Sequence, residues 1–437
     1  MIKHIIILSP PFYSHFMPLL EFSIGLKAQG LKVTMACSQD FKTIIEENGL
    51  LFREININRN RNTGIAEATN QESAEKIRLE EFFTATRKGP FSTLITQLNH
   101  RRADTFADPE ELLEAIQITN ELIKPDCWIV DLLSYGATLS LHCLGLPYIT
   151  FCPPHPASIP TIGLPYNIPQ HWPLGLEPAP DQLETLKEVS NLTREAFTSA
   201  FNSFINKVGS SAPLVEDAFS LVSNSVVIYL YPDLEGREDL IGTPKRVYLG
   251  SCFKEEVPDK EWKDILNCGR RKILVSFGTF LSERIDVLKQ LIDGLLSYDS
   301  DALVIVAAGR HSLELSDYRD DQVIVRDFVP QKAIISQMDL VVHHGGCNSF
   351  TESLYYSKPM VILPFSSDQF NIAYDAEIFG LGVVIDPNNL DQEKISIALD
   401  RAFNHLDLEA IKYWSDVLKS RGANYGVAIL KSILDVD

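Results

Sequence analysis

The chain has 437 residues, of which 45% are hydrophobic, and a formal net charge of −19 at pH 7. This length exceeds what one compact core usually accommodates, so it predicts two domains. The acidic balance supplies no basic stripe for phosphates, which argues against nucleic acid as a partner. No apolar run has the length needed to cross a bilayer, and we therefore expect no membrane span.

The N-terminus and the cysteines indicate the compartment. Residues 1–12, MIKHIIILSPPF, have a short apolar core and no small-residue cleavage site, which predicts a buried strand and not a signal peptide. The seven cysteines form no C-x-x-C pair and lie mostly in apolar segments, as small core residues of a reducing compartment do. We expect a cytoplasmic protein.

In the first half of the chain, strand-like and helix-like segments alternate. KHIIIL, LKVTMACS and CWIVD are almost wholly apolar, which is typical of parallel strands covered on both faces. PLLEFSIGLKAQG and ATLSLHCLG have helical periodicity. Residues 153–180 are crowded with prolines and predict an ordered, irregular loop. These features predict a Rossmann-like N-terminal domain over residues 1–235.

The second half repeats this alternation after a change in composition. Residues 236–265 carry Gly, Pro and charges without a period, which predicts an interdomain linker. A new strand–helix series then predicts a second Rossmann-like domain over residues 266–405, and residues 406–437 predict one long C-terminal helix. The predicted fold class is α/β, with two doubly wound parallel sheets whose carboxyl ends face a common cleft.

The segment from Asp327 to Asn371 is the most informative part of the sequence. It contains an aromatic residue, a Gln, a Gly-Gly turn after the strand LVVHH, a helix that opens with polar residues, a Glu and an Asp-Gln pair. A helix N-terminus of this kind offers unpaired backbone N–H groups and the positive end of a dipole. Both features suit a diphosphate.

This segment resembles the donor-binding signature of family 1 glycosyltransferases, F/W-x-P-Q … H-x-G-x-N-S-x-x-E … D-Q. The matching residues are Phe328, Pro330, Gln331, His344, Gly346, Asn348, Ser349, Glu352, Asp368 and Gln369. Members of this family move a sugar from a nucleotide diphosphate to a small acceptor. The resemblance implies the GT-B architecture, in which a C-terminal helix crosses back to the first domain.

The resemblance also implies roles at the nucleotide. Phe328 would stack on the base, a contact that tolerates different bases, with Val329 beside it as a further donor-binding residue. Gln331 and Glu352 would bond the ribose hydroxyls, since a carboxylate is a good acceptor for a vicinal diol. Many relatives have Trp where this chain has Phe328, which leaves uridine and thymidine both open.

Two turns are expected to hold the diphosphate through hydroxyl, amide and backbone N–H donors. One is the start of the helix after LVVHH, and the other is the loop SFGTF after the strand KILV. The residues assigned to the diphosphate are His344, Gly346, Asn348, Ser349, Ser276, Gly278 and Thr279.

Asp368 and Gln369 would bond hydroxyls of the hexose. Relatives usually carry Asn four residues after this Asp, but Ile372 stands there and Asn371 comes one residue earlier. A helix rotates about 100° per residue, so the sequence leaves the role of Asn371 open.

The catalytic residues are predicted in the first half of the chain. Ser14-His15-Phe16-Met17-Pro18 resembles the family pattern G-H-x-x-P, with Ser in place of Gly, and follows the first strand. Histidine suits a general base because its pKa lies near working pH. Asp131 ends the strand CWIVD, where the family places the Asp that orients the His. The resemblance therefore implies His15 and Asp131 as catalytic residues of an inverting reaction.

No metal ion or cofactor is expected beyond the nucleotide-sugar co-substrate. Glycosyltransferases of the other main fold hold a divalent ion with a D-x-D motif. Asp299-Ser300-Asp301 has these letters, but it lies between a predicted helix and the strand ALVIVAAG, where the composition predicts a turn.

The predicted function is transfer of a hexose, with glucose from UDP-glucose as the expected donor, to a hydroxyl of a small lipophilic acceptor such as a natural product. The acceptor wall is expected from the loop after His15 and from residues 80–100 and 151–173. Two alternatives remain open. A nucleotide-sugar epimerase on the same scaffold would not need the proline-rich insertion, and a non-catalytic nucleotide-sugar-binding protein would not need His15 and Asp131.

Overall fold

The chain folds into two parallel β-sheets with helices on both faces. The computed structural model describes residues 3–57, 61–64, 73–103, 108–238, 242, 244–278, 281–318 and 320–434. Each sheet carries hydrophobic side chains into a helix layer on either side. The predicted fold class, two Rossmann-like parallel-sheet domains, is confirmed.

The N-terminal sheet has seven strands within the described ranges, in the order β3-β2-β1-β4-β5-β6-β7. In chain order they are β1 (His4–Leu8), β2 (Lys32–Cys37), β3 (Leu51–Glu54), β4 (Cys127–Asp131), β5 (Tyr148–Cys152), β6 (Val226–Tyr229) and β7 (Lys245–Tyr248). Ile5 and Ile7 of β1 face one helix layer, whereas Ile6 and Leu8 face the other. Both faces are buried, which explains the unbroken apolar run of this strand.

The C-terminal sheet has six strands in the described part of the chain, in the order β10-β9-β8-β11-β12-β13. They are β8 (Lys272–Ser276), β9 (Leu303–Ala307), β10 (Val323–Arg326), β11 (Leu340–His343), β12 (Met360–Ile362) and β13 (Val383–Val384). All pairings are parallel, and β8 and β11 lie side by side near the centre. The loops after these two strands therefore emerge at the same edge.

Helices connect the strands of both sheets. The helices of the N-terminal half are α1 (Tyr13–Ala28), α2 (Lys42–Glu47), α3 (Ser73–Thr86), α4 (Pro90–Ala103), α5 (Pro109–Ile123), α6 (Tyr135–Leu144) and α7 (Pro180–Lys207). Those of the C-terminal half are α8 (Lys260–Leu266), α9 (Ile285–Tyr298), α10 (Gln331–Ile334), α11 (Cys347–Tyr355), α12 (Gln369–Ile378), α13 (Gln392–Asn404), α14 (Leu408–Ser420) and α15 (Gly422–Ile433). Of the helices described, none has the length and apolarity needed to cross a membrane.

The predicted linker over residues 236–265 contains regular structure. It includes β7, which is an edge strand of the N-terminal sheet, and most of α8, which packs on the C-terminal sheet through Trp262. The chain therefore leaves the first domain after Tyr248, later than its composition indicates. A four-residue edge strand in a charged segment carries too little periodicity to be recognised.

The C-terminal segment is two helices, not the one helix predicted. They meet at Arg421, and Gly422 has a φ of +70°, a left-handed conformation that glycine adopts without steric cost. Helix α14 packs on the C-terminal domain, whereas Val427 and Leu430 of α15 join the core of the N-terminal domain. The chain thus crosses back to its first domain, as the resemblance implies.

A large cavity lies between the carboxyl edges of the two sheets. Its volume is about 1040 Å³, and residues of both domains line it. This volume is at the upper end of what small-molecule sites usually have. The loops after β1 and β4 meet the loops after β8, β10 and β11 across this cavity.

Candidate active site

His15 and Asp131 form a hydrogen-bonded pair on the N-terminal side of the cavity. Four residues separate the end of β1 from the start of α1, and His15 lies in the first turn of this helix. Asp131 is the last residue of β4, the neighbour of β1 in the sheet. Because adjacent parallel strands end at the same edge, the two side chains meet, and His15 Nδ1 lies 2.9 Å from Asp131 Oδ2.

The surroundings of this pair favour one tautomer of His15. Asp131 is fully buried, and its other oxygen, Oδ1, accepts the N–H of Leu133 at 2.8 Å. A carboxylate only accepts hydrogen bonds, so it keeps the imidazole proton on Nδ1 and leaves the lone pair of Nε2 available.

The charges around His15 also set its protonation. Burial acts to lower the pKa of His15, but the charge and hydrogen bond of Asp131, with the charge of Asp368, outweigh it. The pKa of His15 is consequently raised above its usual 6.5. The side chain has the electrostatic setting of a general base that works near neutral pH.

His344 lies between two glycines on the opposite side of the cavity. It follows β11, and a Cβ atom built on Gly278 would approach its Cε1 to 2.7 Å. A Cβ on Gly346 would overlap the same ring. Burial lowers the pKa of His344 to about 4, so the ring is neutral at physiological pH. The two glycines leave space for an imidazole there, and a larger residue at either position would displace it.

Helix α11 opens onto the cavity beside His344. Asn348 and Ser349 lie in its first turn, and both line the cavity. The side-chain amide of Asn348 donates to the carbonyl of Ser14 in the N-terminal domain, at 2.9 Å. The predicted contact of Asn348 with a phosphate stays a prediction, and in this structure the residue joins the start of α11 to the turn that carries His15.

Gln331 and Glu352 contact each other at the far end of α11. The amide nitrogen of Gln331 donates to Glu352 Oε2 at 2.7 Å and to Ser349 Oγ at 3.3 Å. Burial raises the pKa of Glu352 to about 7, although the Gln331 bond and the charge of Lys332 oppose the shift. A buried carboxylate with so few partners is suited to accept hydrogen bonds from a ligand.

Phe328 and Val329 differ in what they offer to a ligand. The Phe328 side chain lines the cavity and is 62% exposed, which is unusual for a large aromatic residue. Its ring is therefore an open stacking surface. Val329 is 4% exposed, and its side chain packs in the core with Ala333 and Ile334. Its carbonyl accepts the backbone N–H of Gln331 at 2.7 Å.

Asp368 and Gln369 lie at the start of α12 and line the cavity. The side-chain oxygen of Gln369 accepts the N–H groups of Phe365 and Ser366, at 2.9 and 3.1 Å. Gln369 therefore already supports its own loop. Asn371 is not among the residues that line the cavity.

Two of the remaining predicted residues, Ser276 and Gly278, lie at the end of β8 and in the loop after it. Ser276 ends β8, and Ser276 and Gly278 line the cavity close to His344. Thr279 lies outside the described residues. Asp299 and Asp301 lie at the predicted turn, where they pair with Arg271 and Arg270, at 3.2 and 3.5 Å.

The described site residues thus converge on one cavity, since all of them except the buried Asp131 line it. The predicted acceptor segments contribute as well, from the loop after β1, from α3 and α4, and from the proline-rich loop. The prediction missed other lining residues, namely Leu133, Tyr135, Gly136 and Phe197. Leu133 lies in the loop after β4, Tyr135 and Gly136 lie on α6, and Phe197 lies on α7. Apolar residues in these segments look like ordinary core positions in the sequence.

Proteins of known class are similar to this chain in sequence. Residues 289–412 match the family model for the C-terminal domain of erythromycin biosynthesis protein CIII-like proteins. Over 401 residues the chain is 23% identical to zeaxanthin glucosyltransferase of Pantoea ananas, covering 87% of this chain and 84% of that protein. These matches support a family 1 glycosyltransferase. A further match, to the uncharacterized UDP-glucosyltransferase YojK of Bacillus subtilis, is 28% identical and covers 41% of this chain and 44% of that protein.

Solved structures share the fold of this glycosyltransferase over its whole length. The glycotransferase of kitacinnamycin matches with a TM-score of 0.68 at 20% identity and covers 99% of both chains. The calicheamicin glycosyltransferase CalG4 matches with a TM-score of 0.66 at 16% identity, covering 100% of this chain and 99% of that one. The fold is GT-B.

Proposed function

We propose that this protein is an inverting glycosyltransferase that moves glucose from UDP-glucose to a hydroxyl of a small lipophilic acceptor. The observation that carries the proposal is the His15–Asp131 pair, which faces the helix α11 turn across one cavity. In this geometry a base on one domain and an anion-binding turn on the other can act on the same sugar.

In the proposed step, the acceptor hydroxyl gives its proton to His15 Nε2 while its oxygen attacks the anomeric carbon. The bond from that carbon to the diphosphate oxygen breaks, and its electron pair leaves with UDP. Attack opposite the leaving group inverts an α-linked donor to a β-glycoside. Asp131 stabilises the imidazolium that forms and keeps the ring oriented.

The leaving diphosphate would gain its stabilisation from the turn before α11. The backbone N–H groups at the start of this helix carry partial positive charge. His344 lines the cavity beside this turn, and its neutral ring would contribute a further donor to the diphosphate. These groups support a reaction that needs no divalent cation.

UDP-glucose is favoured as the donor by the nucleotide end of the cavity. Glu352 beside Gln331 offers acceptor oxygens for the two hydroxyls of a ribose, and the exposed Phe328 ring offers a surface for uracil. A deoxyribose would satisfy fewer of these groups. The name of the zeaxanthin glucosyltransferase relative agrees with glucose as the sugar and a lipophilic acceptor.

Incubation with radiolabelled UDP-glucose and a panel of lipophilic alcohols and phenols tests the proposal. Transfer of label to an acceptor supports it. Conversion of the donor to another nucleotide sugar without an acceptor would identify an epimerase. Saturable binding of UDP-glucose with neither reaction would identify a non-catalytic binding protein.

Glu352→Ala should weaken UDP binding by about 1–3 kcal/mol, because ribose hydroxyls would be buried without a partner. Calorimetry with UDP measures the loss. Glu393→Ala is a matched control, since Glu393 is an exposed carboxylate in the first turn of α13 in the same domain. Equal UDP affinity in both variants would show that Glu352 does not bind the nucleotide.

EDTA should leave turnover with UDP-glucose nearly unchanged, because N–H donors of the protein are proposed to stabilise the departing diphosphate. Initial rates before and after dialysis against EDTA, with and without added Mg²⁺ or Mn²⁺, measure this. Activity that is lost with EDTA and restored only by a divalent ion would contradict the proposed stabilisation.

A further inference from the structure

The turn before α12 is held from the N-terminal domain. Ser367 has a φ of +52°, a left-handed conformation that costs free energy in a residue other than glycine. Gln97 of α4 donates from Nε2 to Ser367 Oγ at 2.6 Å, and Gln97 Oε1 accepts the Ser367 N–H at 3.3 Å. One side-chain amide of the N-terminal domain thus contacts both the backbone and the side chain of Ser367.

Asp368, the next residue, is held by the proline-rich loop of the same domain. The backbone N–H of His155 donates to Asp368 Oδ2 at 3.0 Å. Burial raises the pKa of Asp368, although this N–H and the charges of His155 and His15 oppose the shift. The bond occupies one of the two carboxylate oxygens, and it thereby orients the group in the cavity that Asp368 lines.

The imidazole of His155 fixes the loop against α12. Its Nδ1 accepts the N–H of Ala157 at 3.1 Å, so the ring proton is on Nε2. This Nε2 donates to Asp375 Oδ2 at 3.0 Å, and the buried Tyr231 hydroxyl donates to the same oxygen at 3.0 Å. Asp375 lies two helical turns after Asp368 on α12, so the domains are joined at two places along one helix.

We propose that Gln97 and His155 of the N-terminal domain are positioning residues that assemble the sugar-binding end of the donor site. The inference rests on the proposed function, which assigns Asp368 to the hexose. Phe328, Gln331 and Glu352 lie on the C-terminal domain and make none of these contacts across the interface. Nucleotide binding therefore does not depend on Gln97 and His155, whereas sugar binding does.

The test compares the binding of UDP with the binding and turnover of UDP-glucose in the variants His155→Ala and Gln97→Ala. Calorimetry should give a UDP Kd within about twofold of wild type, while kcat/KM for UDP-glucose falls about 10- to 100-fold, since a displaced carboxylate misplaces the reacting sugar. The affinity of UDP-glucose relative to that of UDP should fall too. His155→Gln keeps a side-chain N–H for Asp375 and should recover part of the loss.

His171→Ala is the matched control. His171 is an exposed histidine of the same proline-rich loop, and it stacks on Tyr374 of α12 with ring centroids 5.1 Å apart, away from the Asp368 turn. It should leave UDP-glucose and UDP binding unchanged. If His155→Ala lowers the melting temperature, Tyr231→Phe replaces it, because this change removes one bond to Asp375 and leaves no cavity.

Two results would overturn the inference. One is an equal loss of UDP and UDP-glucose affinity in the His155 and Gln97 variants. The other is UDP and UDP-glucose binding that these variants leave unchanged, as is expected for His171→Ala. Failure of the proposed function is a separate outcome, because wild-type protein would then transfer no label to any acceptor. The binding comparison still decides the inference in that case.

Discussion

His15→Ala should lower kcat by about 10²–10⁴-fold, the range that general base catalysis usually contributes. The physical reason is that His15 Nε2 is the group proposed to take the acceptor proton as the oxygen attacks. The UDP Kd should stay near the wild-type value, because the proposed nucleotide contacts lie on the other domain. Steady-state kinetics with saturating UDP-glucose, together with calorimetry for UDP, measure the two effects.

His142→Ala is the control for this variant. His142 is a half-buried histidine in the last turn of α6, where it contacts the carbonyl of Pro213 at 2.9 Å. Its replacement should leave kcat unchanged. Near-wild-type turnover by a folded His15→Ala protein would show that another group removes the proton.

Asp131→Asn should lower kcat by about 10²-fold or more and shift the acid limb of the pH profile to lower pH. His15 is a base only when it is unprotonated, so kcat/KM falls as pH drops through its pKa, which is raised above 6.5. Burial lowers the pKa of His15, and the Asp131 carboxylate opposes this effect. Without the charge of Asp131 the pKa of His15 should fall, which moves the acid limb to lower pH. The amide of Asn can also favour the wrong tautomer of His15, and this lowers the plateau of kcat/KM.

Values of kcat/KM measured from about pH 5 to about pH 9, in steps of about half a pH unit, give both the plateau and the position of the acid limb. Asp126→Asn is a matched control, because Asp126 precedes the other end of β4 and pairs with Lys3 at 3.1 Å. It should alter neither the plateau nor the limb. An acid limb that stays in place or moves to higher pH in Asp131→Asn would contradict the electrostatic role of Asp131.

Local patterns were sufficient to predict most of the fold. Buried strands such as CWIVD show as unbroken apolar runs, and a side chain directly after such a strand must lie at the carboxyl edge of a parallel sheet. For this reason the sequence alone assigns His15, Asp131 and the residues around α11 to one cleft. Their roles in binding and catalysis remain predictions.

Other features depend on contacts that a sequence does not display. The break at Arg421 falls inside a segment with a helical pattern, and contacts such as that of Gly422 N with the Leu249 carbonyl, 2.9 Å away, show where the chain changes domain. The contacts of Gln97 and His155 with the Asp368 turn join residues more than 200 positions apart. Gln and His in such segments resemble ordinary surface residues, so no local signal indicates these partners.

The stereochemistry of the product tests the central claim most directly. Wild-type enzyme would be incubated with UDP-glucose and an acceptor that takes up label, and the anomeric proton of the purified product would be examined by NMR. A base on one domain and a leaving diphosphate on the other require attack from the opposite face, so the account predicts a β-glucoside. An α-glucoside would contradict it.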